Sequence, residues 1–141
     1  MISTNPYLHF DGNAEAAMTF YKRVLGGSFT IFSRYKDMQG SEKLSADDQQ
    51  RFVHISLAVR EGVVIMATDS LSSMGQKIVT GNNYHIHVQA ETGAEADRIF
   101  EQLAEGGKVE MPMNMTFWGA YFGMCQDKFG VYWMINFSEQ R

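Results

Sequence analysis

The chain has 141 residues, 45% of them hydrophobic and 20% charged, with a formal charge of −4. That is an ordinary make-up for one folded domain, and the acidic balance speaks against nucleic acid, which needs a basic face. No apolar run reaches the roughly eighteen residues of a membrane span, the opening MISTNPYLHFDGN lacks the features of a signal peptide, and the single cysteine, Cys125, excludes an internal disulfide; a reducing, cytoplasmic setting is expected.

In chain order, PYLHF at 6–10 reads as a short strand, with Leu8 and Phe10 on one face and Tyr7 and His9 on the other. AEAAMTFYKRVLGG at 14–27 reads as a helix with an apolar stripe of Ala17, Phe20, Tyr21, Val24 and Leu25, a solvated Lys22-Arg23 pair and a Gly26-Gly27 stop. The polar stretch KDMQGSEKLSADDQQ at 36–50 is expected to be a flexible loop. RFVHISLAV places Val53, Ile55, Leu57 and Val59 on an apolar face, with His54 and Ser56 opposite; EGVVIMATDS is the return strand of a hairpin, and Asp69 at its end is a candidate to close one end of a pocket. After the connection SLSSMGQKIVTGNN, YHIHVQA alternates again, with Ile86 and Val88 on one face and His85, His87 and Gln89 on the other.

A second helix follows in AEADRIFEQLAEGG, with Ala96, Ile99, Phe100 and Leu103 as its stripe. A last hairpin pairs GAYFGMCQD with FGVYWMINFS. There Cys125 has the parity of a buried hydrophobe rather than a nucleophile, Asp127 is placed to shape the turn, and Val131, Trp133 and Ile135 point to the core. Phe122, Met124, Tyr132, Met134 and Asn136 take the other face. Phe117 and Trp118 precede a glycine in a loop, where Trp118 either borders a pocket mouth or packs the loop onto the body.

The two halves repeat. Ala14, Glu15, Ala16, Phe20, Gly26 and Gly27 recur 80 positions on (14 to 94) as Ala94, Glu95, Ala96, Phe100, Gly106 and Gly107. Gly62, Val63, Met66 and Ser70 recur 68 positions on (62 to 130) as Gly130, Val131, Met134 and Ser138. Each half reads strand-helix-strand-strand-strand, at about 5–69 and 83–138, and neither is large enough to bury much core alone. The fold class is α+β: one domain, 1–141, of two βαβββ modules.

Paired modules of this kind resemble the vicinal oxygen chelate superfamily of glyoxalase I, extradiol dioxygenases and bleomycin-resistance proteins. PYLHFDGNAEAAMTFYKRVLGG and FWGAYFGMCQDKFGVYWMIN look like the opening and closing motifs of its PhnB-like branch, and the likeness covers nearly the whole chain. The resemblance implies curled mixed sheets around a concave pocket, with a divalent metal in enzymatic members held by His, Glu or Gln on the first and last strands of each module. Those positions fall here on Asn5, Met66, His85 and Met134. Only His85 is a good ligand for a hard divalent ion, because a thioether is soft and neutral. Some members of the branch are labelled 3-demethylubiquinone methyltransferases, but no glycine-rich turn here is placed to cradle S-adenosylmethionine.

The four histidines, His9, His54, His85 and His87, all fall on faces turned away from the helices. They can be polar lining, a working acid or base, or a displaced metal site built from His9, His54 or His87; a copper(I) thioether site is a further use of the ten methionines. The expected ligand-binding set is Tyr7, His9, His54, Met66, His85, His87, Trp118, Phe122, Tyr132 and Met134, with no metal and no cofactor, and with any catalytic residue unassigned. An apolar, aromatic cleft with a few polar groups is the usual lining of a small-molecule site. The first reading is a metal-free binder of a small apolar or aromatic molecule. The alternative is a lyase, isomerase or dioxygenase of the glyoxalase type using a non-standard metal site or a histidine base. A homodimer is expected, since open sheets leave edges to cover, with no nucleic-acid or membrane partner.

Overall fold

The computed structural model describes residues 2–138 and divides into two compact units, Met1–Val79 and Thr80–Arg141. The first holds β1 (Tyr7–Phe10), α1 (Ala14–Leu25), β2 (Ser28–Arg34), α2 (Ala46–Gln50), β3 (Phe52–Arg60) and β4 (Val63–Asp69). The second holds β5 (Ile86–Gln89), α3 (Gly93–Ala104), β6 (Lys108–Met115), β7 (Tyr121–Gln126) and β8 (Tyr132–Phe137). The α+β class and the βαβββ order read from the sequence are those observed.

Each unit contains one four-stranded mixed sheet, in the orders β1-β4-β3-β2 and β5-β8-β7-β6. The first strand of each runs parallel to the last, and the other pairs are antiparallel. The repeat holds to the residue. Tyr7 lies opposite Met66, and 80 and 68 positions on, His87 lies opposite Met134.

One helix covers one face of each sheet. From α1, Ala14, Ala17, Met18, Phe20, Tyr21 and Val24 are buried; from α3, Ala96, Ile99, Phe100 and Leu103. Ile55, Leu57, Ile65 and Ala67 meet them in the first unit, and Cys125, Trp133 and Ile135 in the second. At about 1.5–3 kcal/mol for each fully buried large side chain, these stripes fix which face of every strand is turned away from the helix.

The second glycine of each Gly-Gly pair does more than end a helix. A Cβ on Gly27 would overlap the Ala58 carbonyl oxygen, and one on Gly107 the Gln126 carbonyl oxygen. Backbone passes backbone there too closely for any side chain.

Two expectations need correction. The stretch 36–50 is not without regular structure: it contains 3₁₀ turns at Tyr35–Asp37 and Ser41–Lys43 and the short helix α2, whose start Ser45 caps by accepting from the Asp48 amide. A few polar residues in and just after it have partners within the fold. Asp48 is buried and accepts from the Ser73 hydroxyl at 2.7 Å, and Arg51 donates to the Ser70 carbonyl at 2.7 Å. Asp69, expected to border a pocket, is instead a buried structural clamp. Its Oδ1 accepts from the Gly12 and Ala14 amides and its Oδ2 from the Phe52 amide, at 2.9–3.0 Å. Asp127 shapes its turn as read, accepting from the Phe129 and Val131 amides, and it also accepts from the Trp133 indole at 2.8 Å.

Candidate functional site

In the first unit, alternation carries Tyr7, His9, His54 and Met66 to the face away from α1. The Tyr7 ring meets His9 edge-on, with centroids 5.1 Å apart, and His54 at 5.6 Å. Met66 is the ladder partner of both Tyr7 and Ser56. Three rings and a thioether therefore share one patch.

In the second unit, His87 pairs with Met134, Met134 with Met124, and Asn136 with Phe122. The Asn136 amide donates to Gln89 Oε1 at 2.8 Å on the same face. The His85 ring stands edge-on to Tyr132 at 5.7 Å, and Tyr84 stands edge-on to the same ring at 5.8 Å. The Tyr84 hydroxyl accepts from the Tyr132 amide at 3.3 Å. Burial pushes the Tyr84 phenol above its ordinary value, against the pull of that hydrogen bond; it stays a neutral hydroxyl able to donate. Trp118 does not pack its loop onto the body: it is 64% exposed and Phe117 is 96% exposed. Its ring leans over Phe122 with centroids 6.3 Å apart, in a turn closed by the Thr116 hydroxyl and the Ala120 backbone.

Sequence reading missed Glu110. Strands β5 and β6 are the two edges of the second sheet, about 14 Å apart across three strand spacings if the sheet were flat. Yet His85 Nε2, one residue before β5, and Glu110 Oε1, on β6, are 2.8 Å apart. The sheet curls enough for one side chain from each edge to meet over its open face. A bulge assists: Val109 faces Cys125 while Met111 faces Met124, so Glu110 is an extra residue whose side chain is re-aimed out of the ladder. The only sequence signal was the charge of Glu110 between the apolar Val109 and Met111.

Cys125 is buried, and its thiol is pushed up to about 12 by burial, reinforced by Asp127 and Glu110. It is unreactive packing.

The residues at the superfamily's metal positions do not fit a hard divalent ion: two of the four donors are the thioethers of Met66 and Met134. Among the described residues, no three His, Cys, Asp or Glu side chains are grouped to hold a metal. Nor do the strand-to-helix turns fit S-adenosylmethionine. The Gly12 and Ala14 amides before and at the start of α1 are taken by Asp69, and Thr92 and Glu95 accept from the amides of Glu95 and Glu91 at the start of α3. Each turn carries a single glycine, Gly12 or Gly93, and not a glycine-rich run.

The family described as 3-demethylubiquinone-9 3-methyltransferase matches residues 3–136. The chain belongs to that family. Protein YjdN of Escherichia coli (strain K12) is 32% identical over 145 residues, covering 97% of this chain and 96% of its own length. Among solved structures, protein PA1353 from Pseudomonas aeruginosa is 34% identical with a TM-score of 0.87, over 99% of this chain and 100% of that one. A putative 3-demethylubiquinone-9 3-methyltransferase, a PhnB protein from Bacillus cereus, is 28% identical with a TM-score of 0.77, over 97% and 100%. A glyoxalase-related enzyme from Fulvimarina pelagi, 17% identical over 98% of this chain and 88% of that one with a TM-score of 0.65, shares the fold. These matches make the chain a PhnB-like member of that family, with a fold shared by a glyoxalase-related enzyme. Among the described residues, no helix is long and apolar enough to cross a membrane.

Proposed function

We propose that the chain binds a small apolar or aromatic molecule without a metal ion, on the open face of a sheet, which carries Tyr7 and His54 in the first unit and His87, Phe122 and Tyr132 in the second. One observation carries this reading: the last strand of each module has a thioether, Met66 or Met134, where metal-dependent relatives need a hard donor, and in each module it pairs with an aromatic ring on the first strand, Tyr7 or His87. Thioethers and aromatic rings favour polarizable, planar partners. The protein acts in the cytoplasm as a homodimer; exposed Val109, Met111 and Met115 on the edge strand β6 are the kind of surface a partner copy covers. Sedimentation at micromolar concentration that finds only a 16.0 kDa species contradicts the dimer.

A ligand-retention screen by native mass spectrometry, with elemental analysis of protein purified without chelators or a metal-affinity tag, tests the binding. Metal well below one per chain and a retained planar compound are expected. His87→Ala and Tyr132→Ala should each weaken that compound's binding about tenfold and leave the fold intact. Near-stoichiometric zinc, nickel or iron would sink the metal-free reading in favour of a metal-dependent lyase, isomerase or dioxygenase.

A further inference from the structure

Resting on that reading, we infer that the His85–Glu110 pair selects the ligand: it takes an aromatic ring bearing an O–H or N–H donor, which donates to His85 Nδ1. A carboxylate only accepts, so the proton of the 2.8 Å contact sits on Nε2 and donates to Glu110. In the neutral imidazole that fixes the tautomer and leaves Nδ1 as an acceptor. His85 bonds through Nε2 alone, yet among the described residues no buried side-chain nitrogen or oxygen lacks a partner. Nδ1 is therefore open to a ligand. The Tyr132 ring lies beside it, and Met134 and Met124 continue the same face.

The repeat shows that the fold does not require this pair. The first module has the same bulge, between Phe29 and Ile31, with Thr30 in the place of Glu110 and Asn5 in the place of His85. A ring with no donor leaves Nδ1 of the half-buried His85 unpaired when it displaces water, and a cationic ligand competes with His85 for Glu110. A donor-bearing neutral ring satisfies both groups at once.

The test compares 1-naphthol with 1-methoxynaphthalene by equilibrium dialysis against the full chain. The naphthol should bind about tenfold more tightly, the usual cost of an unmet buried acceptor. His85→Phe keeps an aromatic ring and should bring the two affinities together while still binding both. Glu110→Gln should narrow the difference, because an amide no longer dictates the tautomer. Equal binding of both probes to the wild-type protein overturns the selection and leaves the binding function standing; failure to bind either probe at millimolar concentration overturns both. If His85→Phe does not fold, the wild-type ratio and Glu110→Gln decide, and a ratio unchanged in Glu110→Gln counts against the pair.

Discussion

On the bulge of β2 the first module carries Thr30, whose hydroxyl turns back to the Ser56 carbonyl at 3.4 Å; on the matching bulge of β6 the second carries Glu110, which reaches across the sheet to His85. The backbone event is the same in both, down to the register of the partner strand, where Leu57 and Ser56 correspond to Cys125 and Met124. What the modules share is therefore the fold's requirement, and what differs is free to be chemistry. Strand order, bulge, Gly-Gly approach and helix stripe are shared. The His85–Glu110 hydrogen bond, the exposed Phe117-Trp118 turn and the short helix in the 36–50 segment each belong to one module only.

The largest effects should come from the two buried carboxylates, which do similar work at places the repeat does not relate. Asp69 ties the end of β4 to the start of α1 and to β3; Asp127 ties the β7–β8 turn to Trp133. Removing either leaves three N–H groups without their acceptor. At about 1–3 kcal/mol per buried orphan, Asp69→Ala and Asp127→Ala should each cost about 3 kcal/mol or more, read as a lower urea midpoint. A loss below about 1 kcal/mol for one of them would show that its module is held otherwise.

The glycines sharpen the comparison. Gly27→Ala and Gly107→Ala both drive a methyl into a carbonyl oxygen of the neighbouring strand, and each should cost about 1–3 kcal/mol. Gly27 also sits at φ +94°, a left-handed backbone that adds about 1 kcal/mol for an L side chain. The Gly27 variant should therefore melt below the Gly107 variant. Equal melting temperatures would mean that the strand overlap outweighs backbone strain.

These cases explain what could be read in advance. The repeat was visible because helix stripes, glycine stops and strand alternation are local patterns, and the faces of all four histidines follow from a period of two. Glu110 was hidden because a bulge leaves no mark in periodicity and because its partner lies at the opposite sheet edge. The 36–50 segment was misread for a related reason: Asp48 and Gln49 look solvated, and only the fold supplies Ser73 and the Leu44 carbonyl as their partners. Asp69 was mislocated because three backbone amides, which no sequence pattern displays, converge on it.

The smallest expected difference lies at the helix starts. Thr92 caps α3 in the local way, its hydroxyl accepting from the Glu95 amide at 3.0 Å, while Glu95 accepts from the Glu91 amide at 2.9 Å. Asn13 holds the corresponding place before α1 but makes no capping bond with its side chain; Asp69 satisfies the Ala14 amide instead, from the end of the neighbouring strand β4. Thr92→Ala should therefore cost about 1 kcal/mol, and Asn13→Ala no more than a few tenths. Urea denaturation of the two variants side by side measures the gap. If Asn13→Ala proves as costly as Thr92→Ala, then Asp69 does not replace the local cap, and the first helix depends on its own N-terminal residue as the second does.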